Sequence, residues 1–182
     1  TDGYAVCEEA DTLPWKRVEI LNVQGFLDFP TEFISAGLKK QGAVCQVKSF
    51  TTDELRHVRK SPTEMRATNI AKVLADRKSL RKVADCINAV SGEADVLLLP
   101  AVLGFSDEKS LDELKTMVEK PIAYLPTLPP SVSGVRTAIL LKRLFARLGG
   151  TLLVGDKANG GVFKDGRLVS VTTDHLPDEA LY

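Results

Sequence analysis

The sequence lacks the features that would point to several common classes of function. Its 24 lysines and arginines balance its 24 aspartates and glutamates, so no overall charge attracts nucleic acid or an anionic membrane surface. Any anion-binding site must therefore be local. The apolar runs are short, the longest being Val96–Leu99, and fall far below the ~20 residues of a membrane-spanning helix. We therefore expect no transmembrane segment.

Cysteine and histidine are also scarce. The three cysteines and two histidines show no CxxC, CxxH or HExxH spacing, which argues against a disulfide framework and against zinc. A reducing compartment is the simplest interpretation. We interpret Cys45 and Cys86, which lie within apolar patterns, as core thiols, and His57 as a surface residue.

A third absence concerns nucleotides. The stretch NVQGF, residues 22–26, follows the first predicted strand but has one glycine where a dinucleotide-binding turn has three, and the sequence contains no phosphate-binding P-loop. We therefore expect no cofactor-binding residues for a dinucleotide in this segment.

The sequence does contain alternating strand and helix patterns. Strands are predicted within 18–23, 43–50, 94–102 and 121–126, of which 18–23 and 94–102 have the apolar character of buried strands. Amphipathic helices separate them, and this order indicates parallel pairing. We predict a single domain over 1–182, of the α/β class, with an open, mainly parallel, doubly wound, Rossmann-like sheet over 16–150. The Asp165-Gly166 pair predicts a C-terminal antiparallel hairpin or ribbon over 151–173.

The helix patterns predict particular buried faces and starts. The Ser61-to-Glu64 capping box, with Pro62 at the first helical position, predicts a helix over 62–75. The inward side chains are expected to be Phe33, Ile34 and Leu38 in the first helix and Leu141, Leu144, Phe145 and Leu148 in the last.

The candidate site is the corner LPTLPPSVSGVR, residues 125–136. Its three prolines restrict the backbone and hold Thr127 and Ser131 in place. Ser131 or Ser133 is expected to cap the following helix, whose amino terminus, with Arg136 in its first turn, would bind an anion. The alternative is that the corner only turns the chain and Arg136 faces water.

Two further polar residues extend this hypothesis. Arg66 and Asn69, near the start of the helix predicted over 62–75, would form a second polar arm of the same pocket. The alternative is a solvated helix face. Asp107 and Glu108 are interpreted as first-turn residues that offset a helix dipole.

Four motifs together resemble a known family. The chain is similar, from about residue 16 to residue 172, to the B subunit of anaerobic, quinone-linked glycerol-3-phosphate dehydrogenase. The four motifs are NVQGFLDF, SPTEMRATNIAKVLAD, LLLPAVLGFSDEK, and LPTLPPSVSGVR with the basic helix and GG after it. The resemblance implies the middle, substrate-side domain of a flavoprotein, inserted into an FAD- or FMN-binding fold whose glycine-rich turn is absent here.

The resemblance also implies an activity and partners. The parent protein would oxidise sn-glycerol 3-phosphate to dihydroxyacetone phosphate and pass electrons to a quinone. It would work with a flavoprotein, the A subunit, and with an iron–sulfur protein, the C subunit, in the cytoplasm at the inner membrane. The substrate phosphate would meet Thr127, Ser131, Arg136 and Arg66. The alternatives are a subunit-interaction or electron-transfer module of the same complex, and a free-standing nucleotide-binding protein. On each of these hypotheses we expect the isolated segment to be colourless and inactive.

Overall fold

The computed structural model describes residues 13–58, 65–105, 109–175 and 180–181. The chain divides into two compact units, Thr1–Ala138 and Ile139–Tyr182. The boundary lies inside the last helix, before residue 150, where the sequence predicts that the α/β region ends and the antiparallel ribbon begins.

The first unit contains a parallel sheet with helices between its strands. Its elements in chain order are β1 (Arg17–Val23), α1 (Thr31–Lys40), β2 (Val44–Phe50), α2 (Asp53–Val58), α3 (Ala67–Val73), α4 (Arg77–Val90), β3 (Val96–Pro100), α5 (Lys109–Met117), β4 (Ile122–Leu125) and the start of α6 (Val132–Arg147). The strand order is β2-β1-β3-β4 and every pairing is parallel. This confirms the predicted α/β fold. The order reverses between β1 and β3, which makes that point the topological switch of the sheet.

The core forms around the two central strands. Five of the seven residues of β1 and all five of β3 are buried, because the central strands of a parallel sheet are covered on both faces. The buried face of α4 contributes Leu80, Val83 and Ile87. Each such aliphatic side chain stabilises the fold by about 1.5–3 kcal/mol relative to its exposed state.

One charged side chain is part of this interior. The carboxylate of Glu19, in β1, accepts hydrogen bonds from the Lys48 ammonium and from the backbone N–H of Gly92, each at 2.9 Å. Lys48 also donates to the carbonyl of Val90 at 2.9 Å. These bonds connect β1 and β2 to the end of α4.

The second unit contains the rest of α6 and an antiparallel sheet in the order β5 (Ala158–Lys164), β6 (Arg167–Thr173), β7 (Ala180–Leu181). Asp165 and Gly166 join β5 to β6 with φ values of 51° and 75°. Two consecutive positive φ angles are typical of the type I′ turn that Asp-Gly favours. The predicted ribbon is confirmed, although its strands begin at Ala158 and not at residue 151.

The expected inward faces of two helices are partly wrong. In α1, Ile34 and Leu38 pack against the core and Ser35 is buried, whereas Phe33 is 79% exposed. At 100° per residue, Phe33 points far from the arc that these three share. In α6, the four residues that were expected to point inward are all exposed: Leu141, Leu144, Phe145 and Leu148.

The region before α4 also differs from expectation. Residues 59–64, with the predicted capping box, lie outside the described residues, and Arg66 is extended with φ −102° and ψ 150°. The helix therefore begins at Ala67 and does not run continuously from residue 62. The short helix α2 was not predicted. At its start the Thr52 hydroxyl accepts a hydrogen bond from the Leu55 N–H at 3.4 Å, so Thr52 acts as the N-terminal cap.

Candidate functional site

Three loops meet at the carboxyl edge of the parallel sheet. The loop after β1 joins the loop after β4 through a hydrogen bond from the Leu128 N–H to the Asp28 carbonyl, at 2.7 Å. The loop after β3 joins α6 through a hydrogen bond from the Arg136 guanidinium to the Gly104 carbonyl, at 3.2 Å. Ligands of open α/β sheets bind at this edge, beside the switch point. We therefore take these loops as the candidate functional site.

The proline corner ends in a capped helix. The Ser131 hydroxyl accepts a hydrogen bond from the Gly134 N–H at 3.1 Å, which is the geometry of an N-terminal cap. A Cβ on Gly134 would lie 3.0 Å from that hydroxyl oxygen, so glycine leaves room for the cap. Of the two serines that the sequence offered, Ser131 therefore caps α6, and its hydroxyl lies 3.4 Å from that of Ser133.

Arg136 connects α6 to the loop after β3. Its side chain is half-buried, and the Gly104 carbonyl that it binds belongs to a residue with a φ of 72°. The N–H of the same glycine donates to the Ser110 hydroxyl in α5 at 3.1 Å. Arg136 therefore contacts the protein as well as solvent, and its role in binding an anion stays a prediction. A guanidinium has five N–H donors in a planar fork, so the bond to Gly104 fixes its orientation.

Thr127 lies deeper than the sequence suggested. Thr127 is 8% exposed. Its hydroxyl oxygen is buried and has no hydrogen-bond partner among the described residues. A direct contact between this hydroxyl and a ligand would require the corner to move.

Arg66 and Asn69 belong to a different element. Arg66 is exposed and precedes α3, and the Asn69 N–H donates to the Arg66 carbonyl at 3.0 Å. They lie directly before and within α3, whereas Ser131 and Arg136 lie directly before and within α6. The structure thus brings Thr127, Ser131 and Arg136 onto one corner and leaves the predicted second arm on α3.

Sequence reasoning missed Asn22, at the end of β1. Its side-chain amide donates to the Phe26 carbonyl at 2.8 Å, while its oxygen is buried without a hydrogen-bond donor in the described part of the chain. The signal was its place at the carboxyl end of a central strand beside the switch point. A shallow cavity of about 410 Å³, lined by Asn22, Phe29, Phe33 and neighbouring residues, opens next to it.

The described residues at the start of α6 carry positive charge. The first turn of α6 contains no acidic residue, and the amino-terminal N–H groups of a helix carry a partial positive charge. Arg136 adds a full positive charge one turn further on. A phosphate or carboxylate at this helix end would interact favourably with both.

The described residues offer little to a metal or a dinucleotide. They contain no group of three or more histidine, cysteine, aspartate or glutamate side chains that could hold a metal ion. The loop from β1 to α1 contains the buried rings of Phe26 and Phe29 where a dinucleotide needs close approach to a glycine backbone. This loop therefore does not fit the pyrophosphate of FAD. Within the same described ranges, no helix is long and apolar enough to cross a membrane.

Comparisons with known proteins confirm the family resemblance. The chain is 36% identical over 159 residues, 87% of its length, to a protein of Yersinia pestis named as the B subunit of anaerobic glycerol-3-phosphate dehydrogenase. Proteins of the same name are 32% identical over 94% of the chain in Glaesserella parasuis and 32% identical over 99% of it in Actinobacillus succinogenes. The chain spans 38%, 41% and 43% of the lengths of these three relatives.

Other comparisons add nothing to this relationship, since no protein-family model matches the chain and no solved structure matches it significantly. The chain is therefore homologous, over most of its own length, to part of the B subunit of anaerobic glycerol-3-phosphate dehydrogenases.

Proposed function

We propose that this chain is the substrate-side part of a flavin-dependent sn-glycerol-3-phosphate dehydrogenase subunit, and that the substrate phosphate binds at the first turn of α6. The observation that carries the proposal is the corner itself. Ser131 caps a helix start with no acidic residue in its first turn, and the hydrogen bond to Gly104 orients Arg136 at the same end of the sheet.

The chemistry of a phosphate ester suits this corner. A phosphate with a charge near −2 accepts hydrogen bonds from backbone N–H groups at a helix start and from a planar guanidinium. Arg136 is half-buried, so its charge is screened less by solvent than that of a fully exposed arginine. The Ser131 hydroxyl already accepts the Gly134 N–H, and it can still donate its own hydrogen to a phosphate oxygen.

The remaining predicted residues have secondary places in the proposal. Thr127 would contact the substrate only after a movement of the corner, because its hydroxyl is buried. Arg66 and Asn69, before and within α3, would form a second group of polar contacts to the substrate. A bound substrate would have to contact both α3 and α6.

The redox chemistry would come from FAD or FMN held elsewhere in the parent protein, and the loop from β1 to α1 does not fit the pyrophosphate of FAD. The product would be dihydroxyacetone phosphate, and electrons would reach a quinone through the A and C subunits at the cytoplasmic face of the inner membrane. The role of this chain is to bind the phosphate and to position the reacting end of the substrate.

Arginine substitutions in the full-length protein test this function. Arg136→Ala should raise the KM for glycerol 3-phosphate about 10- to 100-fold, the range that a lost charge-assisted hydrogen bond gives. Arg136→Lys should recover part of the loss, and the bound flavin should stay unchanged. Arg143→Ala, which removes an exposed arginine from the same helix, is the matched control. Wild-type kinetics for Arg136→Ala would contradict the proposal.

A second function has a specific observation in its favour. Leu27 and Leu128 are exposed large apolar residues on the two loops that the Leu128-to-Asp28 hydrogen bond joins. Exposed apolar side chains of this kind are typical of a docking surface, so the same edge could serve assembly or electron transfer by contacting the A subunit. In that case Arg136→Ala should leave the KM unchanged and reduce co-purification with the A subunit.

A further inference from the structure

The described residues of the second unit form no apolar core of their own. Every buried hydrophobic residue among those described lies between Val18 and Val132, and the buried residue that the described part of Ile139–Tyr182 contributes is Ser170. A unit of this size without a core, a disulfide or a metal is not stable by itself. It therefore needs a surface to pack against.

The same unit exposes a continuous apolar stripe along α6. Leu140, Leu141, Leu144, Phe145 and Leu148 are between 42% and 77% exposed. At 100° per residue they fall within one arc of about 140°, and the other residues of that part of the helix, Lys142, Arg143, Ala146 and Arg147, occupy the opposite side. An amphipathic helix of this kind is built to bury one face.

Further exposed apolar residues follow α6 along the chain. The helix ends with hydrogen bonds from the Gly149 N–H to Ala146 and from the Gly150 N–H to Phe145, at 3.1 and 3.0 Å. The turn that these bonds close is followed by Leu152, Leu153 and Val154, which are all exposed. A patch of this extent on a folded protein marks an interaction surface.

We propose that this surface packs against the part of the B subunit that the present chain does not span. The chain accounts for 38% of the Yersinia pestis relative, so most of such a protein is available as an occupant. A segment of the same polypeptide has a high effective concentration and covers the stripe at every protein concentration. A unit without a core needs such permanent cover. The inference rests on the homology and on exposure, and does not depend on where the substrate binds.

Cysteine accessibility in the full-length protein tests the inference. Leu144→Cys places a thiol on the stripe, and Ala146→Cys places one on the opposite face of the same helix, where the parent residue is also exposed. Each thiol is labelled with N-ethylmaleimide under native conditions and in denaturant, and peptide mass spectrometry separates it from Cys7, Cys45 and Cys86. The native thiol at 144 should react at least 10-fold more slowly than the one at 146.

Several outcomes would overturn the inference. Equal native labelling at 144 and 146 would show that the stripe is open. Protection that disappears on dilution would assign the stripe to a second copy, and protection that appears only after the A or C subunit is added would assign it to that partner. If Leu144→Cys does not fold, as judged by circular dichroism, Leu148→Cys replaces it with the same expected protection. Because labelling does not require activity, this test can succeed or fail independently of the proposed phosphate site.

Discussion

The ion pair between Glu19 and Lys48 gives the sharpest stability prediction. The Glu19 side chain is 5% exposed and that of Lys48 is 31% exposed, with 2.9 Å between their charged atoms. Lys48→Met keeps the apolar stem but leaves the Glu19 carboxylate buried with the Gly92 N–H as its remaining donor among the described residues. Breaking a fully buried pair costs about 3–5 kcal/mol, and the partial exposure of Lys48 lowers our expectation to about 2 kcal/mol.

Urea unfolding measures this loss. With a slope of about 2 kcal/mol per molar urea, a loss of about 2 kcal/mol lowers the unfolding midpoint by about 1 M. Lys40→Met, at an exposed lysine of α1, should change the free energy of unfolding by less than about 0.5 kcal/mol. The double variant Glu19→Gln/Lys48→Met should recover much of the loss because it leaves no uncompensated charge. An unchanged midpoint for Lys48→Met would refute the reasoning.

Two further predictions concern capping and pH. Asp76 accepts hydrogen bonds from the Ser79 N–H and hydroxyl, each at 2.9 Å, so Asp76→Ala should lower the midpoint of thermal unfolding by a few degrees, while Asp76→Asn should stay near wild type; equal losses for both would contradict the capping role. The hydrogen bond from Lys82 lowers the pKa of Glu54 from its ordinary 4.5 to about 2, so this ionised carboxylate stabilises the fold above pH 4.5 and loses that effect as the pH falls toward 2. Glu54→Gln should therefore be less stable than wild type at pH 6, and the difference should shrink between pH 4.5 and 2; a difference that is constant with pH would contradict the assignment.

The fold could be predicted from sequence because its signals are local and agree with one another. β1, β3 and β4 lie in short apolar runs that end near a proline or a glycine, and the Asp165-Gly166 turn has few alternatives. The prediction of one continuous helix over 62–75 was wrong because α3 begins only at Ala67, and the capping box at 61–64 lies outside the described residues. The backbone at Arg66, directly before α3, is extended.

The exposed face of α6 shows a different limit. Its period correctly indicates an amphipathic helix, but periodicity does not say which surface covers the apolar side. Leu144 and Leu148 were expected to point into the sheet's core, and the structure leaves them exposed. The pattern of the last helix therefore predicts an apolar face but does not predict what covers it.

The candidate site was predictable only in part. The cap by Ser131 is predictable because a serine at the start of a helix commonly accepts a hydrogen bond from the N–H three residues later, here that of Gly134. The bond from Arg136 to Gly104 joins residues 32 positions apart, and the depth of Thr127 depends on how three loops pack. No sequence motif predicts either the Arg136–Gly104 hydrogen bond or the burial of Thr127.

Anaerobic flavin reduction tests the central claim most directly. Glycerol 3-phosphate is added to the full-length protein, with and without the A subunit, and the loss of flavin absorbance is followed in wild type and in Arg136→Ala. The account predicts that the wild-type protein bleaches without its partner, and that Arg136→Ala loses this bleaching while it retains the flavin. Bleaching that requires the partner and is indifferent to Arg136 would contradict the account and would make this edge a partner surface.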